Sequence, residues 1–318
     1  MKKKQVILGS VFLVIILFAL FAILNLVMRE DKQEELVLLS SEVDENGLYY
    51  AGDHAFKAME NFDETYIHQM SSKLNKAYET LLNSDMDVYY SVIPDKGYFV
   101  ENDSFSNEDY DSMLQILKDE VEHMEYIPII DKLSIEDYYK TDHHWRQEKL
   151  FPVVKQLGKQ MDFKVNKGSF EENQVQDYKG VYSEYMQENQ TETLIYLTNK
   201  ATEEARVSAF DGEEQKGVYF LEQIESDVPY NMFLNGPSPL LIIENVGTQN
   251  GRELIIFGDS FTSSLTPLLL EAYSKITLID MRFVPASYLK EIFEFNTQDV
   301  LFLYNTAVIN RSAMLRFD

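Results

Sequence analysis

Two clusters of scarce, chemically able residues stand out in this chain. Gly258 Asp259 Ser260 Phe261 follows the apolar run Glu253 Leu254 Ile255 Ile256 Phe257 and precedes an apolar helix pattern, which sets Ser260 where a strand becomes a helix. A serine on such a turn is exposed, and the first unpaired N–H groups of the helix lie beside it, ready for an oxyanion. Thr141 Asp142 His143 His144 Trp145 holds the only tryptophan and two of the five histidines. A serine nucleophile needs a base to take its proton and an acid to orient that base. Asp142 and His144 offer both at a spacing of two. Positions i and i+2 share a face in an extended segment but not in a helix, so the segment must be extended or a loop, and His143 should point the other way.

Plainer readings exist for both clusters. Ser260, Thr262 or Ser263 could serve only as a helix cap, and so could Asp142, which precedes the helix pattern of Arg146 to Met161. Asp and His are also metal ligands, but no further His or Cys cluster completes a coordination set, and neither a metal nor another cofactor is expected.

Together the two clusters resemble a known family. Gly258 Asp259 Ser260 Phe261 is similar to the first block of SGNH/GDSL hydrolases, and Thr141 Asp142 His143 His144 Trp145 resembles the signature of the DHHW family. That family is similar to the SGNH-like domains of bacterial alginate O-acetylation proteins, in which a D-x-H-W element precedes the serine, as here. The resemblance implies an α/β, SGNH/GDSL hydrolase-like three-layer sandwich with a largely parallel sheet. It further implies Ser260 as nucleophile, His144 as general base and Asp142 as orienting acid, with His143, Trp145 and Asp259 beside them. Val92 Ile93 Pro94 Asp95 Lys96 resembles the strand-end P-x-K element of the alginate-type proteins and brings Lys96 near the site. Asp299 to Thr306 resembles the strand whose end carries an oxyanion-hole asparagine, which would be Asn305. Here Tyr304 and Thr306 flank it in place of the usual residues, and the second-block glycine has no evident counterpart.

The N-terminus bears on location. Lys2 Lys3 Lys4 precede an apolar stretch from Val6 to Met28, long enough to cross a bilayer and closed by Arg29 Glu30 Asp31. A signal peptide would have a shorter apolar region and a small-residue cleavage site. The reading is therefore a tail (1–5) in the cytoplasm, a transmembrane anchor (6–28), a juxtamembrane linker (29–47) and an extracytoplasmic domain (48–318), since positive charge stays inside. The net charge of −25 over 318 residues excludes nucleic acid as a partner, because phosphate binding needs clustered positive charge. With no cysteine, disulfides and thiol chemistry are excluded too.

The remaining elements must position the two clusters. Asn61 to Asn83 carries Phe62, Ile67, Met70, Leu74, Ala77 and Leu81 near helical spacing, Met86 to Ile93 reads as a buried strand, Glu108 to Met124 as a helix and Ile127 to Ile130 as a short strand. This alternation predicts an α/β core. Residues 164–237 differ, with short aromatic strands among acidic turns, and are read as a β-rich insertion flanking the cleft. Tyr178, Tyr182, Tyr185 and Tyr196 could stack on sugar rings there, or simply pack. Pro239 to Glu244 and Arg252 to Phe257, joined through Asn250 Gly251, predict a hairpin whose second strand delivers Ser260. Ile276 to Asp280 and Val300 to Tyr304 read as strands, with Pro285 to Phe295 as a helix between them.

The functional expectation is a membrane-anchored, extracytoplasmic serine O-acyltransferase, an O-acetyltransferase of a cell-surface polysaccharide. The glycan would be the acyl acceptor and a membrane-bound acyltransferase the donor. A carbohydrate acetyl esterase, and a non-catalytic glycan-binding or assembly protein on the same scaffold, are the alternatives.

Overall fold

The computed structural model describes residues 38–40, 43–100, 107–186, 190–209, 212, 214–245, 247, 248 and 250–317. The expected anchor at 6–28 lies outside them, and among the described residues no helix is long and apolar enough to cross a membrane. The first part of the chain runs β1 (Leu38–Ser40), β2 (Leu48–Ala51), β3 (His54–Lys57), α1 (Glu64–Leu81), β4 (Val88–Ile93), α2 (Asn107–Glu120), β5 (Glu125–Tyr126) and α3 (Phe151–Gln160). Next come β6 (Glu171–Tyr178), β7 (Glu192–Thr198), α4 (Lys200–Glu204), β8 (Arg206–Ala209) and β9 (Glu214–Lys216). The last part is β10 (Leu240–Glu244), β11 (Glu253–Gly258), α5 (Thr262–Leu269), β12 (Lys275–Ile279), α6 (Ala286–Ile292), β13 (Asp299–Asn305) and α7 (Thr306–Ile309).

Neighbouring residues of the central strands enter different cores. Leu254, Ile256, Leu301 and Leu303 pack on one face with Val153, Leu157, Leu265 and Leu268. Ile255, Phe257, Val300 and Phe302 pack on the other with Ile67, Leu74, Met113 and Leu289. Side chains alternate across a strand, so a run apolar at every position must be covered on both faces, giving helix, sheet and helix layers. Each fully buried leucine, isoleucine or phenylalanine contributes roughly 1.5–3 kcal/mol, so these two cores supply most of the favourable free energy of the fold. α1 illustrates the local logic. Asp63 caps its first turn by accepting the Thr65 N–H at 2.9 Å, and Ile67, Met70, Leu74, Ala77 and Leu81 make one buried stripe.

The main sheet has the order β5-β4-β13-β11-β12-β10-β8-β9. Pairings from β5 to β12 are parallel, and those from β12 to β9 are antiparallel. After β11 the chain crosses to β12 on one side and later returns as β13 on the other. Ser260 therefore stands off the carboxyl end of β11 at a topological switch point, where open α/β sheets form their clefts.

Several expectations are corrected. The hairpin does not form: β12 lies between β10 and β11 and pairs antiparallel with the first and parallel with the second. Asn250 Gly251 mimics a hairpin turn, but five parallel pairs with β12 outweigh a local turn preference. The short strand beyond α2 lies at Glu125–Tyr126 rather than at Ile127 to Ile130, of which Ile127 and Ile129 fill the core as loop and Ile130 opens a 3-10 turn. The helix after Trp145 starts only at Phe151, preceded by a 3-10 turn at Gln147–Lys149. Within 164–237, β6 and β7 form a separate two-stranded sheet, whereas β8 and β9 extend the edge of the main sheet. In the stretch read as linker, Leu38–Ser40 pairs antiparallel with β2.

Candidate active site

The turn that carries Ser260 is closed by its neighbours. A Cβ on Gly258 would lie 2.8 Å from the Leu303 carbonyl oxygen of the adjacent strand and closer still to Thr262, so only glycine lets the turn pack against β13. Asp259 is buried and accepts the Phe261 N–H at 3.1 Å and the Asn305 N–H at 2.7 Å, joining the ends of β11 and β13. Burial raises its carboxyl above the usual range, against the pull of the Asn305 hydrogen bond. Thr262 returns a hydroxyl bond to the Asp259 carbonyl at 2.7 Å, which fixes the entry to α5.

The other cluster is a loop, neither helix nor strand. Lys96, fully buried, donates to the carbonyls of Tyr139, Lys140 and Asp142 at 2.7, 3.2 and 3.0 Å and so fastens the loop from beneath. From the side, Glu192 accepts the Thr141 N–H at 2.8 Å and its hydroxyl at 2.6 Å. Trp145 ties the loop to the serine turn, its indole N–H reaching the Phe261 carbonyl at 2.9 Å and Ser264 Oγ at 3.0 Å. Gln147 adds a bond from its amide to the Ser264 carbonyl at 2.7 Å. Two segments more than a hundred residues apart are thereby held in fixed register.

Asp142, His144 and Ser260 then fall in one row. Asp142 Oδ1 accepts both the backbone N–H and the Nδ1–H of His144, at 3.0 and 2.8 Å, so the spacing of two closes a local turn that also orients the ring. Its Oδ2 accepts the Tyr178 hydroxyl at 3.0 Å and the Val181 N–H at 3.2 Å. Burial works against the Asp142 charge, but His144, by its proximity and by its side-chain and backbone hydrogen bonds, outweighs it and holds the carboxyl well below the usual carboxylate range. With Nδ1 protonated toward Asp142, Nε2 is the acceptor, and Ser260 Oγ lies 2.8 Å from it. Such a row can move a proton from Ser260 to His144 and keep the resulting imidazolium next to a carboxylate.

The rings around His144 complete the arrangement. Tyr230 stacks on it at 3.7 Å with an interplanar angle of 5°, and donates its hydroxyl to Ser264 Oγ at 2.7 Å. His143 covers the opposite side, its ring 3.9 Å from that of His144. This corrects the expectation that His143 would point away, because the bend at Asp142 turns both rings to the same side. Burial, then the adjacent His144, push the His143 imidazole down to about 3, so it is neutral at ordinary pH. A cavity of about 240 Å³ opens beside Ser260, walled by His143, His144, Val181, Tyr230, Phe233 and Pro237.

Other candidate residues are placed as follows. Asn305 caps α7, its Oδ1 accepting the Ala307 N–H at 2.9 Å, while its amide makes long bonds to the carbonyls of Ile93 and Pro94 at 3.3 and 3.4 Å. Tyr178 is buried against Asp142 and is no sugar platform. Tyr196 tilts onto Tyr219, whereas Tyr185 is exposed. Asp142, His143 and His144 bring ligand atoms within 4.8 Å of one another, but the best-placed donors, Asp142 Oδ1 and His144 Nδ1, are already bonded to each other. The sequence names Tyr178 only as a sugar platform or packing residue and does not single out Tyr230, because a tyrosine in an aromatic-rich stretch carries no sign of its partner.

The fold has known counterparts. A DHHW family protein from Eubacterium siraeum superposes with a TM-score of 0.69 at 19% identity, covering 85% of this chain and 96% of that one. Bacillus cereus PatB1 superposes with a TM-score of 0.63 at 15% identity, covering 85% of this chain and 98% of its own. Its structure with a sulfonyl adduct gives 0.63 at 18% identity, over 82% and 97%. Neither a protein-family model nor a curated protein matches the chain. The likeness of fold thus falls on the same DHHW family that Thr141 to Trp145 resembles.

Proposed function

We propose that this chain is a serine O-acetyltransferase of a cell-surface glycan. The reading is carried by one observation, the unbroken row Asp142, His144, Ser260 with bonds of 2.8 and 2.8 Å at the wall of a small cavity. In the first half-reaction His144 Nε2 takes the Ser260 proton, and Oγ attacks the donor's acyl carbon. The acyl–donor bond breaks, and His144 returns the proton to the leaving group. In the second, a sugar hydroxyl gives its proton to His144 and attacks the acyl–serine, and Ser260 recovers its proton as the acyl–Oγ bond breaks. Two tetrahedral oxyanions form on this path and need donors. The Ser260 N–H, which has no acceptor among the described residues, lies just ahead of Phe261, the N-cap of α5, and is the donor we assign. Asn305 is the second, since its present bonds of 3.3 and 3.4 Å are long enough to be exchanged.

An anchor at 6–28 would hold the domain outside the plasma membrane, where a membrane-bound acyltransferase could supply the acyl group. Water in place of the sugar would make the same row an acetyl esterase. The lining by Val181, Tyr230, Phe233 and Pro237 favours transfer, because an apolar wall limits water beside the acyl–serine.

The test is the intact mass of the protein from Leu48 onward after exposure to 4-nitrophenyl acetate or phenylmethylsulfonyl fluoride. The sulfonyl reagent is apt because PatB1, of the same fold, has been obtained with a sulfonyl adduct. Acetyl and sulfonyl mass on Ser260, absent from Ser260→Ala and His144→Ala, is the expected result. A well-folded protein that takes up neither group is non-catalytic, and the scaffold reading replaces this one.

A further inference from the structure

We infer that a second cavity, which shares His143 as a wall with the cavity that holds Ser260, is the subsite that seats one sugar ring of the acceptor. The inference rests on the transferase reading above and adds to it the place where the acceptor binds. The cavity measures about 240 Å³ and is lined by Asp95, His143, Tyr182, Asn305, Ala58 and Ala307 among others. Its volume falls just below the roughly 300–1,000 Å³ of pockets for drug-sized ligands, which suits a single ring with its neighbours left outside. His143 is the shared wall, lining both this cavity and the one that holds Ser260.

The polar groups here are set for hydroxyls. Asp95 is 8% exposed, and Oδ1 accepts the Gly97 N–H at 2.8 Å, while Oδ2 has no partner among the described residues. A carboxylate oxygen that faces a cavity can accept from a donor that enters it, and a sugar hydroxyl is a neutral donor of suitable size. Tyr182, 8% exposed, likewise makes no side-chain hydrogen bond among the described residues and lends a ring face. Charge favours the same class. Asp95 lies in a chain of net charge −25, which repels anionic ligands, and of the two basic lining residues Arg311 is paired with Glu60 at 2.8 Å while Lys57 donates to the Asn46 carbonyl at 2.6 Å. The apolar remainder of the lining, Ala58, Met59 and Ala307, fits the C–H face of a ring. A sugar seated here lies one imidazole away from His144, so a hydroxyl projecting past His143 reaches the Ser260 side.

Two variants test the subsite. Asp95→Asn keeps an oxygen for the Gly97 N–H but weakens acceptance from a hydroxyl, and Ala58→Phe fills the space. The probes are maltotriose, cellotriose and chitotriose, with the ring-proton resonances of His143, assigned by His143→Gln, read by NMR during titration into the Ser260→Ala protein. A saturable shift with at least one trisaccharide, weakened fivefold or more by Asp95→Asn and Ala58→Phe, is expected. Absence of any shift at millimolar trisaccharide overturns the subsite. In the catalytically intact protein, each variant should lower acetyl transfer to the same trisaccharide at least tenfold more than it lowers acetylation of Ser260 by 4-nitrophenyl acetate. Equal losses in both half-reactions also overturn it. If the wild type is never acetylated but the trisaccharide still shifts His143, the transferase reading fails and the subsite stands.

Discussion

Tyr230 lies face to face on His144, centroids 3.7 Å apart and planes within 5°. The two residues are far apart in sequence, and beside the stack the Tyr230 hydroxyl donates to Ser264 Oγ, which the Trp145 indole also reaches. A tyrosine face stabilises a cation by about 0.5–2 kcal/mol. In the proposed mechanism His144 takes up the Ser260 proton as the acyl carbon is attacked, so the stack acts on the charge that develops in the transition state. Tyr230→Leu should lower the acetylation rate of Ser260 by about 2- to 30-fold with little change in KM for 4-nitrophenyl acetate. Tyr230→Phe keeps the face and loses only the hydroxyl bond, so it should retain most of the rate. Equal rates for Leu and wild type would sink the idea.

Tyr178 supports Asp142 from the other side. Its hydroxyl and the Val181 N–H are the donors to Asp142 Oδ2, at 3.0 and 3.2 Å. Removing the hydroxyl in Tyr178→Phe leaves one of these, at a cost of about 1–2 kcal/mol for a bond to a charged group. We expect acetylation to fall about tenfold, because a less firmly held carboxylate orients His144 less well. In the Asp142→Asn background the same change should cost little, since the two act through one bond. Additive losses in that double-mutant cycle would show that Tyr178 acts elsewhere.

Much of the site was legible because its signals are local. Asp142 and His144 sit two apart and close their own turn, and Ser260 follows an apolar strand directly. Trp145 is unique in the chain and marks its cluster. The parts that escaped depend on distant pairings. Asn250 Gly251 has the chemistry of a hairpin turn, yet β12, from a later stretch of chain, occupies the space between β10 and β11. In the same way β8 reads as part of an insertion until its register with β10 makes it a strand of the main sheet. Tyr178 and Tyr230 look like packing residues, and they are, but what they pack against is Asp142 and His144.

Lys96 gives the site a dependence on pH. Burial pushes its ammonium down to about 8, despite the pull of Asp142, Glu192, Asp95 and Asp53. The folded pKa lies below the unfolded value of 10.5, so between about pH 8 and 10 the unfolded chain binds more protons and this group's contribution to stability rises with pH. Activity should move the opposite way. A neutral amine has two N–H groups for three carbonyls, and the loop bearing Asp142 and His144 loses part of its hold. We expect Ser260 acetylation to decline above about pH 8 with no matching fall in Tm. Lys96→Met should lose about 2–4 kcal/mol of stability, because three carbonyls lose their donor, and should lack that alkaline limb. Persistence of the limb in Lys96→Met would assign it to another group.

Gly180 marks where the β6–β7 region meets the catalytic loop. A Cβ there would lie 2.5 Å from the Thr141 carbonyl carbon and 2.7 Å from Asp142 Cβ, distances that real side chains do not adopt. The backbone cannot easily withdraw, since the Gly180 N–H donates to Thr141 Oγ1 at 3.1 Å and the Tyr182 N–H to the Thr141 carbonyl at 2.9 Å. In Gly180→Ala the displacement must therefore fall on Thr141 and Asp142, and through Asp142 on the ring of His144. A shift of about 1 Å in such a group costs on the order of a hundredfold in rate. Overpacking typically costs about 1–3 kcal/mol of stability, so the variant should remain folded. The expected outcome is a folded protein, judged by circular dichroism and a Tm lowered by a few degrees, whose Ser260 is acetylated about a hundred times more slowly. If Gly180→Ala acetylates at the native rate, the contact is slack, and the region around β6 and β7 does not set the geometry of the row.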